Sequence, residues 1–378
     1  MVATGGKMGF NSLKLHTDLT TRAKLLGFTV PTPIQKQAIP VALQKTDIIG
    51  LAQTGTGKTA AFILPILHHI LNSPKKHGVR ALIIAPTREL AEQIQEVAAS
   101  FGSDLKVRST SIFGGVNINS QIKELRRGVE IVVACPGRLL DHISRKTINL
   151  SNVETLVLDE ADQMLDMGFF PDIRKITAKL PQNRQTLLFS ATMPAEIEKL
   201  TKSIQNNPIK IQVDRREATT QVAHSIYPVQ QNRKKDLLQY VIQKENSFST
   251  LVFTRTKHRA KTLAQKLSKT GHKATSLHGN LSISQRRHAV DGFKKGRYHI
   301  LVATDIAARG IDISGISHVI NYDVPVTPEI YIHRIGRTGR AAQTGVAYTF
   351  ASNEEMRSVG QIEKILKSKL PVNKHSFR

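Results

Sequence analysis

A chain of 378 residues is longer than one hydrophobic core comfortably serves, which predicts two domains of ordinary size. Hydrophobic residues make up 40% of it, no apolar run nears the roughly 18 residues of a membrane span, and the single cysteine, Cys135, excludes intrachain disulfides and multi-cysteine zinc sites. The 54 Lys and Arg outnumber 29 Asp and Glu for a formal charge of +25 spread along the chain, and self-repulsion of that size points to a polyanionic partner, nucleic acid first.

Met1 to Gly9 lacks the apolar region and cleavage site of a secretory signal, and Met8 offers a second start; a reducing cytoplasm and no membrane partner are expected. From Asp47 onward, short β-branched and aliphatic runs alternate with longer amphipathic segments, the βαβ pattern of a parallel sheet. Predicted strands are Asp47 to Ala52, Ala81 to Pro86, Glu130 to Pro136, Thr155 to Asp159 and Gln185 to Ser190, whose Ile, Val and Leu suit strands covered on both faces. The alternation pauses at 213–220, VDRREATT, the expected linker between domains at 1–212 and 221–378. It resumes with predicted strands Leu251 to Thr254, Lys273 to His278, Ile300 to Thr304, His318 to Tyr322 and Gly345 to Phe350. The tail from Glu354 predicts one amphipathic helix ending before Pro371, with no long basic extension. The expected fold class is α/β, two parallel-sheet domains in tandem.

Ala52-Gln53-Thr54-Gly55-Thr56-Gly57-Lys58-Thr59 follows the first strand and opens a helix, the setting of a phosphate loop. Gly55 and Gly57 let backbone N–H groups approach phosphates, Lys58 reaches the β and γ phosphates, and Thr59 can ligate Mg²⁺. A Gly/Thr-rich loop capped by threonine would serve structure alone, yet Lys58 at a helix N-terminus is unfavourable without an anion. The apolar strand Leu156-Val157-Leu158 ends in Asp159, Glu160 and Asp162, three acids that repel one another unless a cation sits among them. Asp159 would hold Mg²⁺ through water and Glu160 would deprotonate the attacking water. A solvated acidic turn is the plainer alternative.

Asp159 to Asp162 spells DEAD, and the chain from Phe10 to Arg340 resembles the DEAD-box family of ATP-dependent RNA helicases, with the family's signatures in their order. The resemblance implies two RecA-like domains, ATP and Mg²⁺ as ligands and RNA as partner; the compact outline is similar to bacterial RhlE-type members. Gly27-Phe28-Thr29-Val30-Pro31-Thr32-Pro33-Ile34-Gln35 resembles the Q motif, in which Gln35 would read adenine while Phe10 and Phe28 pack on the base, though both phenylalanines fit an ordinary core. Ser190-Ala191-Thr192 resembles the third motif, whose hydroxyls couple the Mg²⁺ site to the partner domain together with Asp162. Residues 303–312 (ATDIAARGID) resemble motif five and 333–340 (HRIGRTGR) motif six, with Asp312 on the ribose and His333 bridging to the acidic motif. Arginines at three-residue spacing are costly to leave unpaired, so Arg337 and Arg340 become fingers on the γ-phosphate that complete the site when the domains meet.

Loops at strand ends resemble the family's RNA contacts: Pro86-Thr87-Arg88, Gly114-Gly115, Gly137-Arg138, Thr254-Arg255, Arg286, and Thr304 with Asp305. Small and basic residues suit readout of phosphates and 2′-OH groups rather than bases, and each loop singly fits a helix cap or tight turn as well. Two positions depart from the family pattern. Cys135 replaces the usual threonine before Pro-Gly-Arg and is expected to pack, and Ile283 replaces the usual glutamine three residues before Arg286, with Gln285 unable to compensate. The expected function is local unwinding of short RNA duplexes or remodelling of RNA–protein complexes, driven by ATP hydrolysis. An ATP-dependent RNA clamp without unwinding, or a DNA-directed translocase, would use the same residues.

Overall fold

Strand after strand returns to the same edge because each apolar run is followed by a helix that carries the chain back across the sheet. The computed structural model describes residues 9–53, 55–74, 77–213, 222–245, 249–308, 315–339 and 345–375. The chain divides into two compact units, 1–214 and 215–378. The expected linker lies outside the described residues apart from Val213, whose N–H donates to the Leu51 carbonyl at 3.0 Å.

In the first unit, helices α1 (Thr17–Leu25) and α2 (Pro33–Leu43) precede β1 (Ile48–Leu51), α3 (Lys58–Leu71), β2 (Ala81–Ile84), α4 (Arg88–Gly102), β3 (Ser109–Ile112) and α5 (Ile118–Arg126). Then come β4 (Ile131–Ala134), α6 (Pro136–Ser144), β5 (Thr155–Leu158), α7 (Ala161–Asp166), α8 (Phe170–Thr177), β6 (Gln185–Ser190), α9 (Ala195–Ile204) and β7 (Ile209–Gln212). The strands form one parallel sheet in the order β3-β4-β2-β5-β6-β1-β7. Period-two alternation sends Ile83 and Val133 into one apolar layer with Phe62 and Phe101, and Leu82 and Ile84 into the other with Ile173 and Leu200. Each such buried aliphatic side chain contributes about 1.5–3 kcal/mol. The register aligns Ile84 with Leu158, Leu158 with Leu188, and Leu51 with Ser190, so β1, β2, β5 and β6 end together at the carboxyl edge, where such sheets place their ligands.

The second unit runs β8 (Val222–Pro228), α10 (Lys234–Glu245), β9 (Thr250–Phe253), α11 (Lys257–Lys269), β10 (Ala274–Leu277), α12 (Ile283–Lys294), β11 (Ile300–Ala303) and α13 (Asp305–Ala308). It continues with β12 (His318–Asn321), α14 (Pro328–Ile335), β13 (Gly345–Ala351) and α15 (Met356–Leu366). Its parallel sheet is ordered β10-β11-β9-β12-β13-β8. The tail helix is shorter than expected: a 3₁₀ turn at Asn353–Glu355 precedes it and Lys367, at φ 52°, ends it. The chain then bonds to β8, where the Ile226 N–H donates to the Pro371 carbonyl and the Asn373 N–H to the Ile226 carbonyl, both at 2.8 Å, covering that strand's outer edge.

Three strands escaped the sequence, β3, β7 and β8, and all three end the ordered strands of a sheet. An edge strand needs no continuous apolar run: β3 reads Ser-Thr-Ser-Ile and β7 buries only Ile211. Among the described residues no helix is long and apolar enough to cross a membrane.

Cys135 sits at the N-cap of α6 in extended backbone (φ −84°, ψ 139°), makes no side-chain cap bond, and packs against the first unit's apolar layer. Burial, with Glu89 nearby, pushes its thiol up to about 12, so it packs and does not react. Thiols cap poorly and hydroxyls cap well. Cys135→Thr is therefore expected to stabilise the protein by about 0.5–1 kcal/mol, seen as a rise of about 2–4 °C in the thermal midpoint. An unchanged or lower midpoint means that the hydroxyl cannot reach the helix N–H groups.

Candidate nucleotide site and nucleic-acid loops

Gly55 and Gly57 take φ of 83° and 88°, a left-handed backbone that only glycine adopts without strain, and Gly57 caps α3. A Cβ on Gly57 would lie 2.5 Å from Gln35 Nε2, so the glycine also admits α2 against the loop. Lys58 is 6% exposed and its Nζ has no hydrogen-bond partner; the nearest carboxylate, Asp159 Oδ1, stands at 4.0 Å. An ammonium out of water without a bond is costly, and a phosphate in front of it removes the cost. Thr56 donates to the Gln53 carbonyl at 2.7 Å and the Ala52 N–H to the Ser190 carbonyl at 3.0 Å, fixing the loop's start to the end of β6. Thr54 lies outside the described residues.

Asp159 is 2% exposed, and burial, reinforced by Glu160 and Asp162 and opposed by Lys58, raises its carboxyl from 3.8 to about 6. Glu160 follows at φ 54°, ψ 52°, with its Oε2 buried and unbonded. A left-handed glutamate at a helix start stores strain of the kind found at working sites. An orphan ammonium, an orphan carboxylate oxygen and a carboxyl that resists ionisation fit a triphosphate accompanied by a divalent cation. Asp162 is engaged otherwise. Its Oδ2 accepts from the N–H groups of Ala191 and Thr192 at 3.1 and 3.0 Å and from the Thr192 hydroxyl at 3.2 Å, while its own N–H donates to Ser190 Oγ at 3.2 Å. The acidic turn and the Ser-Ala-Thr turn thus form one hydrogen-bonded unit.

Around the expected base site, Phe10 is 2% exposed inside the core, edge-on to Phe28 at 6.1 Å. Phe28 is only partly buried, beside Phe101 at 5.3 Å, and keeps a free portion. Gln35 is 2% exposed and already bonded at both ends: Oε1 accepts from the Thr32 N–H at 2.9 Å and Nε2 donates to the Gly57 carbonyl at 3.0 Å. It ties the Q motif to the phosphate loop, leaving one N–H and one lone pair.

In the second unit the arginines divide. Arg334, 3% exposed, forks onto Asp305 at 2.6 and 2.8 Å and donates to Asn321 Oδ1 at 3.0 Å and the Asp323 carbonyl at 2.8 Å. Asp305 is therefore held by an ion pair while its side chain stays 25% exposed. Arg337, one turn on and 6% exposed, lines a small cavity with Phe253, Asp305, Ala308, Ile330, His333 and Arg334. Asp312 and Arg340 lie outside the described residues.

The RNA-facing loops are partly brought together. Gly114, Gly115 and Gly137 are exposed, and a Cβ on Gly114 or Gly137 would meet nothing within 4 Å. Arg138 donates to the Val116 carbonyl at 3.1 Å and to Gln121 Oε1 at 3.3 Å, while Gln121 Nε2 donates to the Phe113 carbonyl at 3.0 Å. Fully buried His142 completes this link, its Nε2 3.1 Å from Gln121 Oε1 and its Nδ1 2.8 Å from the Thr147 hydroxyl. That fits a neutral ring donating through Nε2, and burial, with Arg138 nearby, lowers its basicity. Gln121 and His142 were missed because a lone Gln or His carries no signal of a partner 17 or 21 residues away. Elsewhere Thr87 is 8% exposed and caps α4 through Leu90, Arg88 pairs with Glu89 over the Phe113 ring, and Thr254 is fully buried. Arg255 is exposed, Thr304 is partly so, and Arg286 donates to the Ala307 carbonyl at 3.3 Å. Gln285 is spent in the capping box of α12 with Ser282 and does not replace the glutamine missing at Ile283.

The DEAD/DEAH box helicase family matches residues 32–200, and the helicase conserved C-terminal domain matches 232–342. The DEAD-box ATP-dependent RNA helicase CshA of Bacillus licheniformis is 46% identical over 362 residues, 96% of this chain and 74% of the relative; that of Bacillus subtilis is 45% identical, covering 96% and 73%. These relatives are of the CshA kind, and they show the family rather than a subgroup. Among solved structures, S. cerevisiae Dbp5 bound to RNA and ADP BeF3 matches with a TM-score of 0.85 at 32% identity, covering 97% of this chain and 95% of that one. Mss116p bound to ssRNA and AMP-PNP matches at 0.87 and 30%, covering 98% and 81%. Because the likeness runs through both units rather than resting on one motif, the chain belongs to the DEAD-box family of ATP-dependent RNA helicases.

Proposed function

We propose that this helicase holds ATP·Mg²⁺ on its first domain, 1–212, grips RNA by its backbone, opens short duplexes or remodels RNA–protein complexes in the cytoplasm, and hydrolyses ATP to reset. Lys58 carries the reading: a buried ammonium without a hydrogen bond, behind a glycine loop at a helix start, calls for an anion. The structures of Dbp5 bound to RNA and ADP BeF3 and of Mss116p bound to ssRNA and AMP-PNP support it.

In this scheme the loop amides around Gly55 and Gly57 and the Lys58 ammonium would hold the β and γ phosphates, Phe28 and the spare groups of Gln35 would meet adenine, and Thr59 and Asp159 would hold the metal. Mg²⁺ would neutralise and orient the phosphate oxygens when bound. Glu160 takes a proton from the attacking water as that oxygen bonds to the γ-phosphorus and the bond to the bridging oxygen breaks. Arg337 and Arg340, from the second domain at 221–378 across the linker 213–220, offset the charge of that transition state; Asp312 would meet the ribose and His333 the acidic motif. ATP and RNA each favour the competent arrangement, and hydrolysis ends it.

The raised Asp159 carboxyl has a measurable sign. Its folded value, about 6, exceeds its ordinary 3.8, so it stabilises the nucleotide-free fold below about pH 4 and that stability is lost as pH rises through 6. Asp159→Asn should therefore be more stable than the unmodified protein at pH 8 by about 2–3 kcal/mol, with the gap narrowing toward pH 4. Equal thermal midpoints at both pH values would refute the raised carboxyl.

Arg337→Ala should lower ATP turnover by roughly 10³-fold while leaving the affinity for fluorescent ADP within about threefold. Near-normal turnover removes Arg337 from the reaction.

Glu160→Gln keeps shape and removes basicity, so hydrolysis should stop while ATP still binds. With its exit blocked, the competent state should accumulate, and single-stranded RNA should dissociate more slowly with ATP·Mg²⁺ than without it. Persistent turnover would exclude Glu160 as the base; lost turnover without slower RNA release would exclude the coupling.

A further inference from the structure

Asp323 follows β12 at the carboxyl edge of the second sheet and is 1% exposed. Its three oxygens serve three different elements. Oδ2 accepts the backbone N–H of Arg255, in the loop after β9, at 2.8 Å; Oδ1 accepts the guanidinium of Arg259 on α11; its carbonyl accepts Arg334 Nη1, on α14, at 2.8 Å. Arg334 is locked on its other side by Asp305 and lies over the Phe253 ring at 5.0 Å. One residue therefore joins the start of the Thr254–Arg255 loop to the helix whose next turn bears Arg337, with the Arg337 N–H donating to the Arg334 carbonyl at 3.2 Å.

The neighbouring contacts reinforce this joint. The Tyr322 carbonyl accepts from Lys234 Nζ at 2.9 Å, and this fully buried ammonium pairs with Glu355 at 2.6 Å. The other Glu355 oxygen faces the Arg255 guanidinium at 3.4 Å. Arg255 is thus held at its backbone by Asp323 and near its tip by Glu355, yet its side chain stays 54% exposed toward whatever approaches the loop. Rigid contact on both sides of a buried carboxylate is what a mechanical link between two loops requires.

We propose that Asp323 is a positioning residue that transmits RNA engagement at the Thr254–Arg255 loop to the helix that leads into Arg337. The proposal rests on the assignment of that loop to RNA and of Arg337 to the nucleotide. Asp323 touches neither ligand. Replacing it by asparagine keeps the shape but leaves one acceptor oxygen and no charge for the Arg255 N–H and the Arg259 guanidinium, so the loop loosens without a cavity.

The test uses the full chain and a 20-mer oligouridylate, comparing Asp323→Asn with the unmodified protein in thermal midpoint, fluorescent ADP affinity and ATPase against RNA concentration. We expect the ADP affinity to hold, the RNA concentration for half-stimulation to rise about tenfold, and the maximal stimulated rate to fall at least about threefold. A staple that serves only stability would lower the midpoint and leave the half-stimulating concentration alone. Unchanged stimulation in a folded Asp323→Asn protein overturns the proposal. Should that variant not fold, Arg259→Gln, at a side chain 40% exposed, is expected to raise the half-stimulating concentration about threefold, and no change there overturns it equally. Arg255→Ala separates the two levels. If it leaves RNA stimulation intact, the RNA assignment of the loop is wrong; if it weakens stimulation while Asp323→Asn does not, the positioning role is wrong.

Discussion

A buried ammonium without a hydrogen bond, 4.0 Å from a buried carboxylate, sets the terms for the first unit. At that separation the pair gains less than a hydrogen-bonded contact, and both ions have left water. The sheet makes this possible. Parallel strands packed on both faces bring β1, β5 and β6 to a common edge, and the stability of two apolar layers supports an edge that is electrostatically incomplete. An anion in front of Lys58 would relieve that cost.

Matched interior pairs are most numerous in the second unit, Arg334 with Asp305, Lys234 with Glu355 and Arg259 with Asp323, beside Arg80 with Glu154 in the first. A matched interior pair adds little net stability over apolar packing but fixes geometry, since breaking either partner strands the other. Arginines that look alike in sequence, three residues apart on one segment, differ in setting: Arg334 is spent on interior partners, while Arg337 lines the cavity beside it.

This is also where legibility ended. Interior strands were readable because burial on both faces demands continuous Ile, Val and Leu, and β6 was placed to the residue. The phosphate loop and the acidic turn were readable because the chemistry fixes residue types at local spacing. Edge strands such as β7 were not, since a four-residue strand that buries only Ile211 carries no continuous apolar run. The burial of Phe10 and the pairing of Asp305 were hidden for a different reason: position in a motif says what a residue is near in sequence, whereas these depend on partners farther along the chain. Gln121, His142 and Asp323 went unnoticed on the same ground.

The formal charge takes on a sharper meaning once these pairs are located. Among the described residues five acids are buried, Asp47, Asp159, Glu160, Asp162 and Asp323, and five cations, Lys58, Arg80, Lys234, Arg334 and Arg337. Equal burial leaves the net charge of the surface unaltered, but acids are the scarcer class, 29 against 54, so the interior removes a larger share of them. The second unit carries about twice the first's excess of cations on a shorter chain. Helix α11 alone presents Lys257, Lys261, Lys266 and Lys269 to solvent and contains no acid. Such a surface attracts phosphates over a distance of about a Debye length, roughly 8 Å in physiological salt, without regard to base sequence. Under the proposed function, Arg138 in the first unit and Arg255 in the second would then act on a strand already concentrated nearby. Long-range attraction is supplied by composition and register by the paired interior, and only the second of these needs a fold.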